Sequence, residues 1–207
     1  MTSPLPLPIV HLVDDDASFR TATSRLLRAN GFEIEVHESA AAFLANVKGA
    51  TAGCIIADLQ MPEISGLELQ AALARMEVLL PIVFLTGRGD IPSSVRAMRE
   101  GAEDFLEKRA PKEKLLDAVR RAIERDVQQR AASVTRRQAQ EKFALLSERE
   151  QEVLALVLRG ALNKQIAGDL GIAESTVKAH RTNLTTKLGV YSVAEIARLA
   201  EVAGVFR

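Results

Sequence analysis

The stretch Ala52-Gly53-Cys54-Ile55-Ile56-Ala57-Asp58-Leu59-Gln60-Met61-Pro62 restricts the fold more than any other part of the chain. It is a short apolar run with a glycine at one end and a carboxylate and a Met-Pro turn at the other. A continuous apolar run of this length predicts a strand buried on both faces, as in a parallel sheet. Such a strand ends at the carboxyl edge of its sheet, where open α/β folds place their chemistry. Asp58 then stands at the mouth of a crevice, or it caps the next turn.

Three other runs narrow that choice. Ile9-Val10-His11-Leu12-Val13 ends in Asp14-Asp15-Asp16, Pro81-Ile82-Val83-Phe84-Leu85 ends in Thr86-Gly87, and Glu103-Asp104-Phe105-Leu106-Glu107 ends in Lys108. Phe32-Glu33-Ile34-Glu35-Val36 alternates as an outer strand would. Helical patterns fill the gaps. One runs over about 17–29, with Phe19, Ala22, Leu26 and Leu27 at helical spacing, and Asn30-Gly31 stops it. Ser39 caps a second helix, Ser65-Gly66-Leu67 opens a third that runs to about Met76, and Ile91-Pro92 begins a fourth that ends near Gly101. Five βα units predict an α/β fold with a doubly wound sheet. With parallel strand ends on one edge, the acids, the Thr86 hydroxyl and the Lys108 ammonium gather around Asp58. Clustered carboxylates repel unless a cation joins them, and hard oxygen ligands suit Mg²⁺. A carboxylate beside Mg²⁺ and a lysine is equipped to accept a phosphoryl group, since both cations offset the incoming charge. His11 and His37 each lie alone on a strand, where a satisfied polar contact is the expected role.

The total charge is zero, but its distribution is not even: residues 1–110 carry a net −5, residues 111–145 a net +4 and residues 146–207 a net +1. An acidic first part followed by a basic segment fits a sensing half joined to a nucleic-acid half. The single cysteine, Cys54, lies inside a buried strand and reads as a small core hydrophobe, and one cysteine allows no disulfide within the chain. No apolar run reaches the ~18 residues of a spanning helix. Residues 1–8 read as a loose proline-rich arm without the basic segment of a signal peptide.

From Pro111 to about Lys142 the chain stays helix-friendly, with Leu115, Leu116, Val119 and Ile123 on one face and a polar second half. The reading is one long helix that outgrows the first domain; a shorter helix with a disordered linker is the alternative. Ser147-Glu148-Arg149-Glu150 is a capping box, and Val153, Leu154, Val157 and Leu158 follow it. A short helix over Asn163–Leu170, a turn at Gly171-Ile172-Ala173 and a longer helix over Glu174–Leu188 form a helix-turn-helix, and Ser192 to Ala203 closes an all-α four-helix domain.

Taken together, Asp14 and Asp15, Asp58 with its Met61-Pro62 turn and Gly66, Thr86-Gly87 and Lys108 resemble the receiver domain of bacterial response regulators over residues 9–125. Residues 144–203 resemble the NarL/FixJ (LuxR-type) helix-turn-helix, and the segment 86–92 looks closest to the FixJ branch. The resemblance implies a flavodoxin-like five-stranded sheet of order 2-1-3-4-5. It implies domains at 9–125 and 144–207, with 126–143 as a helical linker. It makes Asp58 the phosphoacceptor and a ligand of Mg²⁺ (or Mn²⁺), Asp15 a direct ligand of the same ion, Asp14 the second acid and the Gln60 main-chain carbonyl a further contact. Thr86 and Lys108 would each meet a phosphoryl oxygen, and Phe105 would follow Thr86 as a switch residue, while Asp16 caps a helix.

In the second domain the resemblance turns Lys178, Ala179 and Thr182 toward base edges in a major groove. Lys164, Ser175, Thr176, His180, Arg181, Asn183 and Lys187 become phosphate or rim contacts. Thr182 stands where some relatives have Lys. Arg109 and Ala110 depart from the usual Lys-Pro-apolar sequence, which puts the loop geometry and the hold on Lys108 in question. The implied protein is a cytoplasmic transcription factor. A sensor histidine kinase phosphorylates it, it forms a homodimer and binds promoter DNA, and RNA polymerase is a further expected partner. No membrane and no catalysis are expected beyond its own phosphorylation and dephosphorylation. One alternative is a DNA-binding protein whose receiver works without phosphorylation. The other is an aspartate-dependent phosphohydrolase of the haloacid-dehalogenase kind, which Gln60, two residues after Asp58, argues against.

Overall fold

The structure is a computed structural model, and it describes residues 7–47, 52–87 and 91–205. Most of the expected arm, residues 1–6, and the Arg88-Gly89-Asp90 part of the segment 86–92 lie outside the described residues. The chain divides into two compact units, Met1–Gln129 and Arg130–Arg207.

In the first unit, β1 (Ile9–Val13), β2 (Glu33–His37), β3 (Gly53–Asp58), β4 (Ile82–Thr86) and β5 (Asp104–Glu107) form a parallel sheet of order β2-β1-β3-β4-β5. Helices α1 (Ala17–Ala29), α2 (Ala40–Asn46), α3 (Gly66–Arg75) and α4 (Ile91–Arg99) connect the strands. All six residues of β3 are buried, as the unbroken apolar run predicts. Successive residues point to opposite faces of the sheet. Val13, Ile55, Ala57 and Phe84 therefore pack with Phe43 of α2 and Leu69 and Leu73 of α3. Val10, Leu12, Cys54, Ile56, Val83 and Leu85 pack on the other face with Leu27 of α1 and with Leu115, Leu116 and Val119. Burial, with the Asp126 charge adding to it, pushes the Cys54 thiol up to about 12, so it packs as an inert hydrophobe.

Two glycines fix how closely β3 can be approached. Gly53 has φ +131, and a Cβ there would lie 1.9 Å from the Ile9 carbonyl oxygen. A Cβ on Gly66 would lie 2.5 Å from the Asp58 carbonyl, so the start of α3 can press against the end of β3 only without a side chain.

β2 begins one residue later than the alternation suggests. The Phe32 amide still donates to Leu27 of the preceding helix (3.2 Å), and the Phe32 ring joins the core. Helix α5 is continuous from Lys112 to Ala144 over 33 residues. Both ends of the stretch read as a linker are packed. Buried Asp126 accepts the Gly53 amide at 2.9 Å within the first unit. Ala139 and Phe143 lie in the core of the second unit.

That second unit adds α6 (Glu148–Leu158), α7 (Asn163–Leu170), α8 (Glu174–Leu188) and α9 (Val193–Ala203). Capping boxes at Ser147/Glu150 and Ser192/Glu195 start α6 and α9. Gly171, in the left-handed conformation at φ 63, ends α7 and sets the turn into α8. Val153, Leu154, Ile166, Val177, Leu184 and Ile196 make the core.

Candidate functional site

At the carboxyl edge of the sheet, β1 and β3 lie side by side, with Val13 level with Ala57. Their ends bring Asp14, Asp15 and Asp58 together, with one carboxylate oxygen of each within 4.8 Å of the others. Asp14 and Asp58 are buried and Asp15 is exposed. The loop after β5 delivers Lys108, whose Nζ lies 2.7 Å from Asp14 Oδ2 and 2.8 Å from Asp58 Oδ2. The same ammonium sits 4.6 Å from the centre of the Phe19 ring, a contact that the sequence pattern gave no reason to expect. Asp16 leaves the cluster and caps α1, accepting from the amides of Ser18 and Phe19.

Burial raises the Asp14 carboxyl, and its bonds to Lys108 and the Asp16 amide only partly oppose this. Burial alone would lower Lys108, but its bonds to Asp14 and Asp58 outweigh that and raise it. The ammonium thus stays charged between two carboxylates. The lysine is held with Arg109, rather than the proline that the receiver resemblance leads one to expect, after it. The peptide after Lys108 is trans, the Lys108 amide donates to the Thr86 carbonyl (2.8 Å), and Arg109 turns away to pair with Glu107 at 2.6 Å.

Thr86 is the last residue of β4, level with Glu107, and fully buried. Phe105 is half-buried on β5, with its ring centre 6.5 Å from that of Phe84. Gln60 lies just past Asp58, and its amide donates to Asp58 Oδ1 at 3.1 Å. The donor set around Asp58 consists of carboxylate oxygens, in keeping with a hard cation, and the Lys108 ammonium shows that the cluster already favours positive charge. The residues present fit Mg²⁺.

His11 and His37 make the expected polar contacts, but they do not stand alone on their strands. Parallel pairing sets His11 beside Glu35 and Val13 beside His37, so the two rings and one carboxylate share a face. His11 Nδ1 lies 3.4 Å from His37 Nε2 and 3.5 Å from Glu35 Oε2. The alternation of Glu33, Glu35 and His37 along β2 was the available signal; the register that adds His11 was not.

In the second unit α8 presents Ser175, Thr176, Lys178, Ala179, Thr182 and Asn183 as exposed residues, with His180 and Arg181 half-buried. Lys164 is exposed on α7. Arg181 is tied to Asn163 at 2.9 Å, joining α7 to α8. Lys187, exposed on α8, pairs with buried Glu150 at 2.7 Å. The Thr182 hydroxyl donates to the Lys178 carbonyl (3.1 Å).

Residues 10–120 match the response regulator receiver domain, and residues 144–200 match the bacterial regulatory proteins of the luxR family. The chain belongs to the response regulators of the NarL/FixJ type. The regulator is 42% identical over 193 residues to response regulator protein TodT of Pseudomonas putida, a match covering 93% of this chain and 85% of TodT. It is 41% identical over 202 residues to transcriptional regulatory protein FixJ of Azorhizobium caulinodans, covering 98% and 95% of the two chains. Among solved structures it is similar to the response regulator StyR, with a TM-score of 0.83 and 45% identity over 95% of this chain and 99% of that one. The regulator therefore combines a flavodoxin-like receiver with an all-α LuxR-type DNA-binding domain, and its role is transcriptional. Receiver domains bind Mg²⁺ through acidic residues, and the Asp14, Asp15 and Asp58 cluster is a set of that kind. No helix among the described residues is long and apolar enough to cross a membrane.

Proposed function

We propose that the regulator takes a phosphoryl group onto Asp58 from a phosphohistidine of a sensor kinase, and that this phosphorylation controls a homodimer that binds promoter DNA in the cytoplasm. The observation that carries this reading is the Lys108 ammonium bridging Asp58 and Asp14 at 2.8 and 2.7 Å. An Asp58 carboxylate oxygen attacks phosphorus as the P–N bond of the donor breaks, and the imidazole nitrogen keeps the electron pair. Asp58 is the nucleophile. Asp14, Asp15 and Asp58, with the Gln60 carbonyl, would hold Mg²⁺, which when bound would offset the charge of the phosphoryl oxygens. Lys108 exchanges its contact with Asp58 for a phosphoryl oxygen, and its raised pKa keeps it charged for that role. The buried Thr86 hydroxyl turns to another oxygen, and Phe105, on the neighbouring strand, follows. The chain catalyses no turnover beyond forming and losing its own acyl phosphate.

On DNA, Lys178, Ala179 and Thr182 read base edges, while Lys164, Ser175, Thr176, His180, Asn183 and Arg181 serve the backbone and rim. Lys187, exposed and paired with Glu150, lies at the rim of the same contact surface. RNA polymerase is the expected downstream partner. The experiment is selection from a random DNA pool by full-length regulator treated with acetyl phosphate and Mg²⁺. The treated wild type enriches one inverted-repeat sequence, and Asp58→Asn does not. Equal enrichment by both proteins would show that the receiver does not control binding.

A further inference from the structure

We propose that His11, Glu35 and His37 form a transition-metal site of the zinc class on the β1–β2 edge of the receiver, separate from the carboxylate cluster that suits Mg²⁺. His11 Nδ1 is 3.4 Å from His37 Nε2 and 3.5 Å from Glu35 Oε2. A tetrahedral ion with bonds of about 2.0–2.1 Å holds its ligands about 3.3–3.4 Å apart, so both spacings are close to edges of such a tetrahedron. One ligand atom from each residue lies within 4.8 Å of the others. Two imidazoles with one carboxylate, and a fourth position open to solvent, are a donor set that zinc accepts and Mg²⁺ does not seek.

The surroundings support an ion. His11 is 3% exposed, and its Nδ1 is directed at His37 and Glu35 rather than at solvent. The Phe43 ring lies 5.3 Å from the His11 ring and 5.1 Å from the His37 ring, forming an apolar wall behind the ligands. The other side is open: the three residues line a cleft of about 540 Å³, and Glu35, with its side chain 55% exposed, stands at the rim. The His37 carbonyl accepts the Asp14 amide at 3.2 Å, so an ion here would lie one backbone hydrogen bond from the Mg²⁺ cluster.

The test uses the full-length chain without a histidine tag, titrated with Zn²⁺ against a chromophoric chelator in excess Mg²⁺, with Co²⁺ as a spectroscopic substitute. Wild type and Asp58→Asn should each bind one Zn²⁺ per chain and give the intense visible bands of tetrahedral Co²⁺. His37→Ala should weaken binding by at least about 100-fold, and Glu35→Gln, an exposed change that leaves the fold intact, by about 10-fold or more. His180→Ala, which changes the only other histidine, should have no effect. The proposal is overturned by an absence of Zn²⁺ uptake at micromolar concentration, by uptake that survives both His37→Ala and Glu35→Gln, or by uptake lost in Asp58→Asn.

Discussion

Lys108 occupies the place where two cations must be reconciled. Its ammonium lies against Asp14 and Asp58, the same carboxylates that Mg²⁺ needs. Removing it leaves like charges uncompensated, and these favour any other cation. Lys108→Ala should therefore bind Mg²⁺ more tightly, by roughly tenfold, as read from a metal titration, while losing the contact that the phosphoryl group requires. Unchanged or weaker Mg²⁺ binding would mean that the two cations do not compete. The histidines act on stability with a definite sign. His11 and His37 are held below their ordinary range chiefly by burial. Their neutral forms stabilise the fold fully above the unfolded value near 6.5, and that contribution is lost as pH falls through the depressed folded values. Asp14, raised by burial, works in the opposite direction on acidification. Melting temperatures of wild type and His37→Gln between pH 7.5 and 5.5 separate the two, since the variant should lose less stability over that range. Parallel pH curves would remove the histidine contribution.

At the scale of elements, the end of β3 was the most legible part of the chain. An unbroken apolar run, an acid and a Met-Pro turn define it without reference to any neighbour. Its tightest constraint was not legible: Gly53 is required because Ile9 passes over it, and Asp126, 73 residues away, takes its amide. Asp126→Ala should cost about 1–3 kcal/mol in denaturant unfolding, because it orphans that buried amide. Helix α5 was legible as one helix from the absence of Gly and Pro over 112–146. Its polar second half hid the two residues, Ala139 and Phe143, that the second core buries. Two apolar residues one turn apart are too few to mark a face. Phe143→Ala should accordingly destabilise the second unit by about 3–5 kcal/mol, and a fragment over 130–207 should melt well above one over 144–207. Equal melting points would leave those turns without a packing role. Lys178→Ala on α8 should relax base preference, whereas Lys164→Ala on α7 should weaken all sequences alike and reduce the salt slope by about one. Binding isotherms on selected and random DNA distinguish the two.

For the whole molecule, zero net charge concealed an acidic first domain and a basic segment, and motif order rather than composition exposed the two-part design. The carboxylate cluster was legible because its acids stand at the ends of two apolar runs, Asp14 and Asp15 just after β1 and Asp58 at the end of β3. The histidine site was not, because it depends on the register between β1 and β2, and short alternating strands do not fix register by themselves. The two functions lie in separate compact units, one with Asp58 and the other with α8. In the proposed mechanism Asp58 alone accepts the phosphoryl group. Intact-mass spectrometry after incubation with acetyl phosphate and Mg²⁺ tests it most directly. Wild type should gain one phosphoryl group of ~80 Da per chain, labile to hydroxylamine as an acyl phosphate is, and Asp58→Asn should gain none. A phosphoryl group on the Asp58→Asn chain, or a wild-type mass that does not change, would contradict the account.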